Sequence, residues 1–453
     1  MKCWVGWLLG AAFAAALAAA VASSAAARAE APVYLDGERV LLPETPGLEA
    51  GVTYVPYRQF LKRIGASVAW NEDAGEITAV RNGERATLHL GSERLTTAAG
   101  RSIDLRGSVE RIGGTVYVPL RAAASAFGGL VGWEADGGAA TVSMEAKRPG
   151  KVVGVASSTA LLIEPIGGSR SSAETVRLAG VAVPPGTFGD AAASYLEAAQ
   201  LGERVWIEPA DDGRAEQDGR PVYVYREDGT MVNAALLAEG YGYVLPFKPD
   251  VVWGEWLCDR ERLAASRQQG VWAESGALGT ACGRSFDSRT LGEIQERMLA
   301  DYKRIQDEHR IVMLGGGGEA AWIHLDFRKY GDHQTLLTSE QRNELMFSLY
   351  EEVGSVFPIR LNQYVIPEQP DLEGNIEAIG ERGDLLIVDR DRLLGPKELP
   401  DAVWVNVAED AEIVFPAGGE RFAIGQRARA WFAGIMLESY PGQTQGVKIE
   451  IVE

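Results

Sequence analysis

Histidine and cysteine are scarce in this chain: 453 residues include four of the first and three of the second. No C-x-x-C pair occurs, which excludes a thioredoxin-type redox motif. Cations are in short supply too, with 44 Lys and Arg against 63 Asp and Glu, a formal net charge of -19. That balance disfavours nucleic acid or an anionic membrane as partner, because phosphate binding needs a positive field. A small local anion site remains compatible with it. Past the N-terminus no apolar run is long enough to span a bilayer.

What is present reads as ordinary globular protein, 46% hydrophobic and 24% charged. The length suggests about three domains, or four small ones. The N-terminus is distinctive. Lys2 precedes an apolar, Ala-rich run from Cys3 to about Val21, and small residues lead to Ala27-Arg28-Ala29. This A-x-A pattern predicts a signal peptide over residues 1–29 with cleavage before Glu30, and a secreted or cell-surface protein. An uncleaved anchor is the other reading of the same run. Cys3 lies ahead of the run, not where a lipoprotein cysteine stands. Export leaves Cys258 and Cys282 as a predicted disulfide. Closing a loop of roughly twenty residues contributes about 3 kcal/mol.

A repeat follows. Gly51 to Arg58 reads G-V-T-Y-V-P-Y-R, and Gly114 to Arg121 reads G-T-V-Y-V-P-L-R. Tyr54, Pro56, Arg58, Gly65 and Trp70 map at constant offset onto Tyr117, Pro119, Arg121, Gly128 and Trp133. Each copy predicts a strand ending at proline, a short helix stopped by glycine, and a strand carrying the tryptophan. Hairpin signals stand at Asn82-Gly83 and Ala99-Gly100. The pattern resembles the copper amine oxidase N-terminal-like domain, a stalk-like module of exported proteins, over residues 30–146. The resemblance implies display or attachment. Copper chemistry needs imidazole ligands, and this stretch has only His89.

Ala146 to Gly150 reads as a linker. Residues 150–276 then resemble the staphylococcal nuclease (thermonuclease) family. Val176 to Val181 reads V-R-L-A-G-V, Asp218 to Tyr225 reads D-G-R-P-V-Y-V-Y, and Gly229 to Gly240 reads G-T-M-V-N-A-A-L-L-A-E-G, closed by Gly270-Val-Trp272. The resemblance implies an OB-type five-stranded barrel with helices. The family's hydrolysis uses carboxylates for a hard cation, a glutamate base and two arginines. Here Ser158 and Ala182 stand at the metal carboxylates and Pro185 at the base, whereas Arg177 and Arg220 keep the arginine positions. No cofactor is expected, since the family's calcium loses its ligands. Glu174, Asp190 and Glu216 lie nearby but off the motif. The arginines read either as an anion clamp or as salt-bridge partners of Glu174 or Glu216.

Residues 284–370 read as a small α+β module. An apolar stripe Ile294, Met298, Tyr302, Ile305 predicts one helix from Leu291 to about Glu308. Gly315 to Gly318 predicts a hairpin turn; a phosphate loop would need a lysine and a Ser/Thr. Thr338 to Gln341 is a capping box with Gly354 as C-terminal cap. His324, Asp326, Asp332 and His333 read as a metal cluster or as ordinary polar positions. Residues 371–453 are strand-rich. Ile424 to Gly434 and Glu438 to Gln443 resemble a family of short exported proteins of unknown function, which implies a second small β-barrel.

The expected fold class is multidomain α+β and β-rich: a two-repeat β/α stalk-like domain, a central OB-type barrel and a C-terminal barrel. The expected function is an exported surface binding or scaffold protein with a catalytically degenerate thermonuclease-like domain. The expected partner is a cell-wall or surface component. A secreted phosphodiesterase with a rearranged site is one alternative. The other is a sensor of a small anion or nucleotide at Arg177 and Arg220.

Overall fold

The structure, a computed structural model, describes residues 29–42, 47–49, 51–136, 138–167, 172–210, 219–245, 251–274, 276–319, 321–395, 398–416, 419–434, 436–437 and 439–452. The signal-peptide run through Arg28 and Glu216 lie outside them. The protein is β-rich and multidomain, with two closed five-stranded barrels. Packing divides it into two units.

The first unit holds the chain to Gly150 together with Arg204–Glu208 and Tyr223–Val232. At its centre the two repeats meet. The strand Val52–Pro56 pairs antiparallel with Thr115–Pro119, Val55 opposite Val118 and Tyr54 opposite Pro119. Equivalent positions of the two copies therefore face each other about a local two-fold. Each strand runs straight into its helix, Tyr57–Arg63 and Leu120–Ser125. Proline at the helix N-cap fits this junction, because its missing N–H leaves no orphan donor there. Phe60, Leu61, Val55 and Val118 are fully buried in one core with Val131 and Val142. Asn82-Gly83 joins Glu76–Arg81 to Glu84–His89, with both turn residues at positive φ (49° and 83°), as an Asn-Gly hairpin requires. Gly132 lies against Gly229: a Cβ at Gly132 would stand 2.3 Å from the Gly229 carbonyl oxygen, so the backbones meet where no side chain fits.

The central barrel closes in the order Arg148–Ser157, Ala160–Pro165, Glu174–Leu178, Arg220–Arg226, Arg204–Pro209. Glu174–Leu178 and Arg220–Arg226 run parallel. The helix Thr187–Gln200 connects the third and fourth strands in sequence and buries Ala192 and Leu196. The segment read as a linker is shorter than expected: Arg148 to Gly150 already belongs to the first barrel strand.

The second unit also contains the α+β module and the C-terminal barrel. The module is a three-stranded sheet, Ile311–Glu319, Trp322–Lys329 and Ile359–Gln363, with the last two parallel. Helix Ser339–Val353 carries the predicted capping box at Thr338 and Gln341, and Gly354 takes the left-handed cap. Two sequence expectations change here. Gly315 to Gly318 is no turn, since Ile311–Glu319 stays paired through it to Trp322–Lys329. The single helix is two, Ser288–Met298 and Tyr302–His309, and the break turns Tyr302 outward, 53% exposed. Cys258 and Cys282 form the disulfide, with Cα atoms 5.6 Å apart.

The C-terminal barrel closes in the order Leu372–Ile379, Leu385–Leu394, Leu399–Val414, Gly442–Val452, Arg427–Phe432. Alternate residues of these strands, among them Ile376, Ile387, Val405, Ala430 and Ile449, fill it.

Candidate functional site

The residues singled out in the central barrel are spread over several of its segments. Ser158 is half-buried in the turn between the first two strands, where the Ser157 hydroxyl accepts the Thr159 N–H at 3.3 Å. Ala182 is 2% exposed on the two-residue strand Val181–Ala182, which pairs with Tyr243–Val244. Pro185 follows, half-buried, just ahead of Thr187–Gln200. Asp190 is exposed in the first turn of that helix.

Arg177 and Arg220 come from neighbouring parallel strands, one residue out of register: Arg177 is opposite Pro221, and Arg220 opposite Val176. Arg220, at the first position of its strand, is exposed; Arg177 is half-buried.

What surrounds Ala182 is apolar. It belongs to one core with Tyr243, Val271, Phe347 and Tyr350. The Tyr243 ring lies 5.0 Å from that of Trp272 and 6.3 Å from that of Phe347. One residue on, the Val183 carbonyl accepts the Asn343 side-chain N–H at 2.9 Å. Asn343 and Phe347 sit one turn apart on Ser339–Val353. The α+β module is therefore seated on the segment Ala182 to Val183. Next to Tyr243, the Val244 N–H donates to Glu261, which is 1% exposed. Burial raises its pKa, offset in part by the Thr280 hydroxyl and the Val244 N–H that it accepts. Both its oxygens hold neighbouring chain in place.

The module's four polar candidates do not converge. His324 and Asp326 share one face of their strand, and Asp326 accepts an N–H from Asn362 at 2.9 Å. The Asp332 carboxylate closes its own turn, accepting from Thr335, Gln334 and Lys329, and the Thr335 hydroxyl foremost holds its pKa well below the usual range. His333 is 4% exposed and bonds the Asp410 carbonyl at 3.0 Å. Among the described residues no group of three or more His, Cys, Asp or Glu is placed to hold a metal ion.

In the N-terminal unit the paired Tyr-Val-Pro strands, the two helices and the tryptophan strands Ser67–Asn71 and Leu130–Glu134 repeat as a unit. Residues 34–142 match the copper amine oxidase N-terminal domain. This domain's repeat arginines hold backbone and a neighbouring hydroxyl, and Arg121 also reaches the Asp228 carbonyl at 3.4 Å. Arg58 donates to the Tyr57 hydroxyl at 2.8 Å and Arg121 to the Val131 carbonyl at 2.7 Å. Its His89 stands 3.6 Å from Glu76 on the neighbouring strand. Comparison of the chain with curated proteins gives no match.

One buried polar cluster escaped the sequence reading. Lys147, Glu208, Ser143 and Tyr225 come together with Asp36 nearby. The partners are far apart in the chain, and no local spacing marks them.

Proposed function

We propose that this is an exported cell-surface binding or scaffold protein whose central domain is a thermonuclease-like barrel without catalysis. One observation carries the reading: Ala182, at the position of a metal carboxylate in the resembling family, is packed in an apolar core shared with the downstream module. A cation held by oxygen ligands needs an open, polar cleft at that point. Here the cleft is given over to packing against Tyr243 and Phe347. Pro185, at the position of the base, has no group that titrates. Ser158 leaves a single hydroxyl. The matched copper amine oxidase N-terminal domain supports display at the surface, since that module resembles a stalk.

The test is incubation of the whole protein with single-stranded DNA and RNA in millimolar calcium, beside an Arg220→Ala variant. We expect no cleavage from either. Cleavage that depends on Arg220 overturns the reading and restores the phosphodiesterase alternative. A thermal shift with a nucleoside diphosphate, absent in Arg177→Ala, would instead make the barrel an anion sensor.

A further inference from the structure

Within the first unit, the side chains of Lys147 and Glu208 are 6% and 4% exposed, and Nζ lies 3.4 Å from Glu208 Oε2. Nζ donates to the Glu145 carbonyl at 2.8 Å and the Ser143 carbonyl at 3.2 Å, and stands 5.6 Å from the centre of the Tyr225 ring. The same Oε2 accepts the Ser143 hydroxyl at 2.5 Å and the Tyr225 hydroxyl at 3.0 Å. Asp36, anchored by the Met144 N–H at 2.7 Å, completes the cluster, close enough for its charge to act on both Lys147 and Glu208.

We propose that Lys147 and Glu208 are the two ends of an intramolecular amide crosslink, with Asp36 as the proton carrier. Three physical features support it. The Lys147 amine is held 3.4 Å from a Glu208 carboxyl oxygen, so the two groups that would condense are already brought together. Both are withdrawn from water, where an ion pair is costly to keep. Two hydroxyls donate to one carboxyl oxygen, drawing electron density from the carbon to be attacked. The ionisation directions agree. Burial above all pushes Lys147 below the usual lysine range and Asp36 above the usual carboxylate range. The amine thus moves towards its nucleophilic form and Asp36 towards its proton-holding one.

The step balances within the cluster. A proton passes from the Lys147 ammonium to the Glu208 carboxylate, giving amine and acid. The Nζ lone pair attacks Cδ and a tetrahedral centre forms. Protonated Asp36 gives its proton to the leaving hydroxyl and takes one back from the nitrogen. The Cδ–O bond breaks, one water departs and the Nζ–Cδ amide remains. No oxidant, reductant or co-reactant is required. The product is neutral, so it removes a buried ion pair and ties the segment after the repeat domain covalently to Arg204–Pro209.

The test is peptide mapping of the whole protein, denatured, reduced and digested with trypsin. The expected product is a branched peptide joining the Lys147 and Glu208 segments, lighter than their sum by one water. Lys147→Arg keeps the cation and should yield the two linear peptides alone. Asp36→Asn keeps an acceptor for the Met144 N–H and should retain native circular dichroism while losing most of the branched product. Linear peptides alone from the folded wild-type chain overturn the crosslink. Undiminished branching in Asp36→Asn overturns the part assigned to Asp36.

Discussion

The two barrels share a topology and differ in how they are finished. Both run first, second, third, fifth, fourth, with the third and fifth strands parallel. The central barrel follows its third strand with the helix Thr187–Gln200, which buries Leu196. At the same place the C-terminal barrel packs Phe415 and Phe422 against its core, their rings 5.2 Å apart. The topology therefore needs an apolar plug after the third strand, and a helix is only one way to supply it. A second contrast concerns how each barrel meets the α+β module. The central one does so through Ala182, Tyr243 and Phe347, an apolar seam with one hydrogen bond from Asn343. The C-terminal one adds to an apolar cluster of Ile366, Ala408, Trp431 and Val447 a buried ion pair. Arg328 forks onto both oxygens of Asp410 at 2.5 and 2.9 Å, with side chains 2% and 3% exposed.

These two seams should fail differently. The largest expected effect is at the ionic one. Arg328→Ala leaves Asp410 buried without its cation and should cost about 3–5 kcal/mol, measured by urea unfolding of the second unit. Arg328→Met with Asp410→Leu should cost far less, because no charge is stranded. Equal losses in the single and double variants would mean that shape, not charge, holds this seam.

The apolar seam should respond to the opposite change. Ala182→Asp restores a carboxylate at the motif position and places it among Tyr243 and Phe347 without a partner. We expect a loss of about 2–3 kcal/mol and no nuclease activity. A fully stable Ala182→Asp variant that cleaves DNA in calcium would show the seam to be an open cleft.

Acid should separate the regions by sign. Glu261, which accepts the Val244 N–H beside the strand Val181–Ala182, has a raised pKa; its contribution is fully present below the ordinary glutamate value of 4.5 and lost as pH rises through the folded value. Asp410 behaves in reverse. Burial raises its pKa, but Arg328 and the Gly331 N–H outweigh burial and hold it below 3.8. Its contribution is present above 3.8 and lost as pH falls through the folded value. Glu261→Gln should therefore flatten the stability profile on its alkaline side, and Asp410→Asn on its acid side, in melts taken from pH 3 to 7.

Local chemistry was legible in the sequence and distant pairing was not. The Asn82-Gly83 hairpin, the Thr338 capping box, the Gly354 cap and the repeat each rest on residues a few positions apart, and each appears where the spacing puts it. The barrel positions Ser158, Ala182, Pro185, Arg177 and Arg220 could be named, but not that a helix more than a hundred residues on covers one of them. Arg328 and Asp410 are 82 residues apart, and neither has a neighbour that announces the other. The helix stripe failed at Tyr302 because periodicity says nothing about a break between Met298 and Tyr302 that resets the phase.

The glycine run gives the smallest effect and the sharpest contrast within one strand. Four glycines suggested a turn because glycine is costly in a strand interior. The strand persists because Trp322–Lys329 supplies its ladder, with Gly317 opposite His324 and Gly316 opposite Leu325. A Cβ at Gly317 meets nothing within 4 Å, and one at Gly316 would stand 2.7 Å from the His324 carbonyl oxygen. Gly317→Ala should then stabilise the module by about 0.5–1 kcal/mol by reducing unfolded-chain entropy, whereas Gly316→Ala should destabilise it by forcing the two backbones apart. Thermal melts of the two variants decide the point. Two stabilised variants would mean that the strand edge yields freely, and the glycines would then be holding no close approach at all.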